Sequence, residues 1–267
     1  MTYTLAGSVT TNADSLDSEI RDGSVRVVDV RRTEEYARDH IPGSVNLPLS
    51  QLLRDDSPER VASLVGRLGI DDEIDVVVYD NTFGALASRM AWTLEYLGHK
   101  NVSLLDTTYD GWRSLGLSGD NQIPDMGSKE HSINLDSTIL ATWSYLDQVR
   151  ENEGTTLLDN RERLNYLEQH IPGAMNIPYR TLASENGILR PQAAMERLLE
   201  NRGINRSDEI ITYCGSVGTL SGLAYYALKS IRAPNVKLYV RSFREWKSLD
   251  KPIAKQEHAN YWDLSAE

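Results

Sequence analysis

Short apolar runs alternate with charged, amphipathic segments along most of the chain. Residues 25–30, Val-Arg-Val-Val-Asp-Val, form a brief β-branched run of the kind that makes a buried strand. The charged residues 33–38 predict a helix with Thr33 as its N-cap. Pro42-Gly43 then suits the two central positions of a type II turn. Residues 58–68 read as a helix, 74–79 as a second strand, 80–84 as a turn and 87–97 as a helix closed by Gly98. A third strand is predicted at 102–105, and Tyr109 opens a short helix. Strands alternating with helices imply βαβ units around a parallel sheet, an α/β fold.

Residues 119–135 hold few apolar positions and read as a linker, after which the pattern starts again. Asp29, His40 and Asn46 recur as Asp159, His170 and Asn176, each 130 residues later. Further on the offset is 134: Tyr79 maps to Tyr213, Asn101-Val102 to Asn235-Val236 and Trp112 to Trp246. An offset held across separated motifs signals an internal duplication. The tryptophans at matched positions are expected in the cores.

Composition narrows the class of protein. A chain of 267 residues suits two ordinary domains, and 40% hydrophobic with 25% charged residues suits a buried core under a solvated surface. A net charge of −11 with no basic patch argues against nucleic acid and anionic membranes as partners. No apolar stretch has the length of a membrane span, and residues 1–5 lack the charged start of a signal peptide. The single cysteine permits no internal disulfide, so a reducing, cytoplasmic compartment is expected. The five histidines show no ligand spacing with it, and no metal site is expected.

That cysteine is the candidate chemistry. Tyr213-Cys214-Gly215-Ser216-Val217-Gly218-Thr219 lies between an apolar run at 210–213 and a helical pattern at 220–231. A small-residue turn between a strand and a helix points backbone N–H groups inward and suits an anion, so a thiol there ionises readily. The plain alternative is an inert core cysteine. The duplication bears on this choice, because the counterpart of position 214 is Asp80. A carboxylate is a poor packing residue. The position is therefore expected to be an exposed loop start, not a core site.

Asp29-Val30-Arg31, His40-Ile41-Pro42-Gly43-Ser44, Val78-Tyr79-Asp80, Ala87-Ser88-Arg89, Leu97-Gly98-His99, His170-Ile171-Pro172-Gly173-Ala174 and Cys214-Gly215-Ser216 together resemble the tandem-domain rhodaneses. That family includes thiosulfate and 3-mercaptopyruvate sulfurtransferases. The resemblance implies two tandem rhodanese-like domains, each a parallel sheet flanked by helices. The first spans 1–122 and is catalytically silent, 123–135 is the linker, 136–253 is the domain with Cys214, and 254–267 is a tail. It implies that the Cys214 thiolate takes the outer sulfur of thiosulfate or 3-mercaptopyruvate as a persulfide and yields it to cyanide or a thiol. No metal or organic cofactor is required. The turn, with Gly215, Val217, Gly218 and Thr219, would hold the substrate sulfur. Ser216, His40 and Asp29 match a trio to which the mercaptopyruvate enzymes assign proton movement. His40 and Asp29 have counterparts in His170 and Asp159, which favours a scaffold role for both.

Departures from the family pattern locate the open questions. The usual order Gly-Val is exchanged to Val217-Gly218, and Asn165 stands where an arginine commonly grips the substrate. Arg163, Arg241 and Arg244 are the candidates to supply that charge, the last two because they follow a strand predicted at 237–240. Two rivals remain. A related phosphatase needs Cys-x5-Arg, and the required position is Leu220. A rhodanese fold kept as a binding or sulfur-carrier scaffold, without turnover, is the other. Nothing in the sequence sets the oligomeric state.

Overall fold

In a computed structural model of the chain, residues 8–184 and 187–256 are described. The chain divides into two compact units. The first runs to Ser137 and takes in Gly187 and Ile188; the second begins at Thr138 and holds the other described residues.

Unit 1 is built on five strands: β1 (Thr10–Thr11), β2 (Val25–Asp29), β3 (Val45–Asn46), β4 (Asp75–Tyr79) and β5 (Val102–Leu105). All neighbours are parallel, in the order β1-β5-β4-β2-β3. The central pair aligns Val27 with Val77 and Asp29 with Tyr79. Residues 76–79 of β4 are buried without alternation, as a strand covered on both faces requires. The helix Ala85–Leu97 supplies much of that cover and is itself buried on most of its surface. It ends at Gly98, whose φ of +109° is left-handed. A Cβ there would lie 2.4 Å from the Asn134 carbonyl, so only glycine fits. On the sheet's other face Leu16, Ile41, Leu105, Tyr109 and Trp112 close a second layer of core.

The segment read as a linker is bound to unit 1. Lys129, Asn134 and Asp136 donate their N–H groups to Gly66, Leu97 and Tyr96 carbonyls, which straps the segment along unit 1. Its His131 meets His99, both buried, with ring nitrogens 3.2 Å apart.

Unit 2 repeats the plan with β6 (Thr155–Asp159), β7 (Met175–Asn176), β8 (Glu209–Tyr213) and β9 (Asn235–Leu238), again all parallel, in the order β7-β6-β8-β9. A parallel bridge from Leu140 to Leu238 stands where β1 stands in unit 1. The helix Thr219–Ser230 is buried continuously from Ser221 to Leu228 against the sheet. Trp112 and Trp246 are both fully buried, as expected, and their indole N–H groups donate to Ser118 and Pro252 carbonyls, also 134 residues apart. Truncating either to alanine costs about 3–5 kcal/mol on the scale of large core deletions.

Local boundaries differ where a turn overrides the apolar pattern. The last strand spans Asn235–Leu238 rather than 237–240, because Ser242 N–H turns back to the Tyr239 carbonyl. Arg32, not Thr33, caps the helix Thr33–Arg38, its N–H bound to the Glu35 carboxylate. In the tail, Ala254 pairs with His170 and Gln256 with Leu167; Tyr261 and Trp262 lie outside the described residues. Among the described residues no helix is long and apolar enough to cross a membrane.

Candidate active site

In each unit the chain leaves a central strand, β4 or β8, through a five-residue loop into the most buried helix. Open parallel sheets place ligands at these carboxyl ends, where the strand order reverses. β8 lies at such a point, with β6 on one side and β9 on the other. Both loops end in a left-handed glycine that caps the helix, Gly84 at φ 81° and Gly218 at φ 74°.

The loop start is buried in both copies, contrary to the exposed position expected from the Asp80–Cys214 exchange: Asp80 is 1% exposed and Cys214 3%. Unit 1 shows why a carboxylate is tolerated there. Asp80 Oδ1 accepts from the N–H groups of Thr82 (2.8 Å) and Gly84 (2.9 Å). Its Oδ2 accepts from those of Leu86 (2.8 Å) and Ala87 (3.0 Å), and from the Thr82 hydroxyl (3.1 Å). Burial is offset because the loop and the first helical turn fold their donors around the charge. Asp80 also starts the helix at Ala85, two residues earlier than the pattern predicts, by filling its free N-terminal N–H groups.

Cys214 is held from a second side by the turn after β9. Its carbonyl accepts from Phe243 N–H (3.1 Å), and the Gly215 carbonyl accepts from Arg244 N–H (3.0 Å). The Ser242 hydroxyl oxygen lies 3.1 Å from Cys214 N and 3.7 Å from its Sγ. Beneath the loop, Arg161 reaches over the Phe243 ring at 4.2 Å and grips Asp159 through Nε and a second guanidinium nitrogen. Burial first, and the Asp159 charge second, push the Tyr213 phenol well above its ordinary pKa, so it stays protonated next to the cysteine.

The other predicted residues lie on several elements of the two units. Ser216 and Val217 are half-buried on the loop, and Gly215 is exposed. Arg241 and Arg244 are exposed at the start of the helix Ser242–Ser248, next to the loop in chain contacts. Arg163 instead faces an open cleft with Tyr166, Asn176 and Arg202, which no residue of the cysteine loop lines. Asn165 is an exposed helical residue. Asp29 is fully buried in unit 1, where it holds Arg31 through Nε and a second guanidinium nitrogen and accepts from the Tyr79 hydroxyl at 2.6 Å. His40 stacks on Tyr36 at 3.8 Å, with both ring nitrogens on the carbonyls of Tyr36 and Gln122. Asp159 with Arg161, and His170 stacked on Tyr166 at 4.0 Å, repeat this frame in unit 2.

Each unit is thus a parallel α/β domain with a five-residue loop at the end of a central strand, which rings a carboxylate with N–H groups in one copy and carries a thiol in the other. The family model for the rhodanese-like domain matches residues 12–115 and again 142–249, and the chain belongs to that family twice over. A putative thiosulfate sulfurtransferase of Synechococcus elongatus is 26% identical over 255 residues, 86% of this chain and 79% of its own. The 3-mercaptopyruvate sulfurtransferase of Escherichia coli is 27% identical over 263 residues, 88% of this chain and 93% of its own. The crystal structure of SseA from Escherichia coli shares the fold, with a TM-score of 0.80 at 24% identity over 88% of this chain and 99% of that one.

Leu220 and Ser221 are functional candidates that sequence reasoning missed. They are the counterparts of Leu86 and Ala87, whose N–H groups bind Asp80. Thr219, which it included, matches Ala85, whose N–H goes to the Thr82 carbonyl instead. Backbone donors leave no mark in residue type; only the 134-residue offset to a charged counterpart betrays them.

Proposed function

We propose that the chain is a sulfurtransferase that carries a sulfane sulfur from thiosulfate or 3-mercaptopyruvate to cyanide or a thiol as a persulfide on Cys214. The observation that carries this reading is the Asp80 carboxylate in its ring of N–H groups. The thiol copy has the same loop length, the same left-handed glycine and the same helix behind it. By that equivalence the N–H groups of Ser216, Gly218, Leu220 and Ser221 converge on the sulfur of Cys214. A persulfide anion there takes the place that a carboxylate fills in unit 1.

The chemistry balances without a cofactor. The Cys214 thiolate attacks the outer sulfur of thiosulfate, the donor's S–S bond breaks, and sulfite leaves with the electron pair. With 3-mercaptopyruvate the C–S bond breaks instead, and the donor's thiol proton ends on the methyl group of pyruvate. The acceptor then attacks the outer sulfur, and the pair of the breaking S–S bond returns to Sγ as thiolate. This is covalent catalysis with ping-pong kinetics. The preformed N–H groups stabilise charge that builds on sulfur in both steps.

Arg241 and Arg244 are assigned to the donor's anionic group, because Arg244 N–H ties its segment to Gly215. Asp29 and His40 are assigned to the frame of unit 1, since both are held by it as Asp159 and His170 are held in unit 2.

The test is turnover with each donor: thiocyanate from thiosulfate and cyanide, and pyruvate from 3-mercaptopyruvate with a thiol. Parallel double-reciprocal plots and complete loss in Cys214→Ser are expected. A protein that turns over neither donor contradicts the reading and leaves the scaffold alternative. The double variant Arg241→Ala, Arg244→Ala is expected to lose about 10- to 100-fold in kcat/KM, the scale of a charged hydrogen bond or two. Wild-type kcat/KM in that variant would remove both arginines from the site.

A further inference from the structure

Ser242 stands out in the cysteine's surroundings for its backbone. It is fully buried and is one of four non-glycine residues with positive φ among the described residues, at 58°. Strain of this kind persists only where the surroundings impose it. Its counterpart in unit 1 is Thr108, with an ordinary φ of −79°, whose hydroxyl caps its own helix by accepting from Gly111 N–H. The same position in the two copies therefore puts its hydroxyl to two uses. Where the loop carries a carboxylate, the hydroxyl serves a helix. Where it carries a thiol, the backbone twists and the hydroxyl turns to the cysteine.

The Ser242 hydroxyl has one proton and two acceptors. Its oxygen accepts from Cys214 N–H, and its proton can go to the Tyr239 carbonyl at 3.0 Å or to Cys214 Sγ at 3.7 Å. Tyr239's carbonyl also accepts from Ser242's own N–H at 3.1 Å, so it keeps a partner when the hydroxyl leaves it.

We propose that Ser242 is a further catalytic residue, whose hydroxyl proton follows the charge on Cys214. While Sγ is neutral, as thiol or as the inner sulfur of a persulfide, the proton rests on Tyr239. When Sγ is a thiolate, the charge-assisted bond wins and the proton turns to sulfur. Ser242 thus stabilises the thiolate selectively over the persulfide, whose charge lies on the outer sulfur. The thiolate is the nucleophile of the first step and the leaving group of the second. The hydroxyl therefore raises the reactive fraction and speeds delivery of sulfur to the acceptor. This rests on Cys214 as the sulfur carrier.

The test separates the two claims by measuring the thiolate directly. Alkylation of Cys214 by iodoacetamide is followed against pH in wild type, Ser242→Ala, Ser242→Gly and Ser242→Thr, independently of any turnover. Alanine keeps the backbone strain and glycine relieves it, while both lack the hydroxyl; threonine retains it. The alkylation midpoint is expected to rise by about half to one pH unit in both the alanine and glycine variants and to return toward wild type with threonine. Single-turnover transfer from preformed persulfide to cyanide is expected to slow about 3- to 10-fold in the same two variants. A wild-type midpoint in the glycine variant overturns the proposal, whether or not alanine shifts it, because strain and not the hydroxyl would then be the cause. Failure of wild type to form a persulfide would instead strike at the function proposed for Cys214 and leave the alkylation result standing.

Discussion

At the scale of single residues, the pair Asp80 and Cys214 carries the account. The sequence made the cysteine visible as the only one of its kind, and the offset of 134 made its counterpart visible. It misjudged their exposure, because a buried carboxylate looks forbidden until its donors are counted, and those donors are backbone groups that no residue type announces. The count itself makes a prediction. Asp80→Ala removes the acceptor for four backbone N–H groups and leaves them in a site that is 1% exposed. Unit 1 is expected to lose about 2–4 kcal/mol, from unsatisfied buried donors at roughly 1–3 kcal/mol each with partial rescue by water. Denaturant unfolding measures it, and a loss below about 0.5 kcal/mol would mean that the ring of donors does not stabilise an anion.

At the scale of elements, the central strands β2, β4 and β8 and the helices after β4 and β8 were legible from short apolar runs followed by a helical period, whereas the two-residue strands β1, β3 and β7 carry too few residues to show a pattern. Element ends were not legible, because ends are set by turns and caps. Asp80 draws a helix start to Ala85, and the turn at Tyr239–Ser242 closes the last strand early. Gly218 sits at such an end, with a φ of 74°. Gly218→Ala is expected to cost about 1–2 kcal/mol, and to lower activity beyond that loss of stability because the loop carries the reacting sulfur. Thermal unfolding together with the kcat of the folded enzyme separates the two effects. The linker is bound down by its backbone hydrogen bonds and by its own His131, buried against His99. His99 Nε2 lies 2.9 Å from the Ile74 carbonyl, and its Nδ1 lies 3.2 Å from His131 Nε2, while His131 Nδ1 lies 2.8 Å from the Ser132 carbonyl. Burial first, and His131 second, lower the His99 pKa below its ordinary 6.5. The unfolded chain then binds the proton more tightly than the folded one. Stability is expected to be full above about pH 6.5 and to fall as the pH drops through the lower folded value. His99→Gln is expected to flatten that acid limb in a pH series of denaturant midpoints; an unchanged slope would show that His99 does not titrate with folding.

At the scale of the whole molecule, one scaffold was written twice and only one copy carries a thiol. The frame of Asp29, Arg31 and Tyr79 and that of Asp159, Arg161 and Tyr213 occupy matching places, as the repeated motifs implied. Repetition also separates frame from chemistry, since a residue present in both copies is explained by the fold they share. His40→Asn is therefore expected to lower the melting temperature while the kcat of the folded enzyme stays within about 3-fold of wild type. A fall of about 100-fold or more at unchanged melting temperature, the scale of general acid–base catalysis, would return His40 to the mechanism. The most direct test of the central claim is intact-protein mass after incubation with thiosulfate or 3-mercaptopyruvate and removal of the donor. The expected result is a gain of one sulfur atom, lost on adding cyanide and absent in Cys214→Ser. No gain with either donor, or a gain that survives in Cys214→Ser, would contradict it.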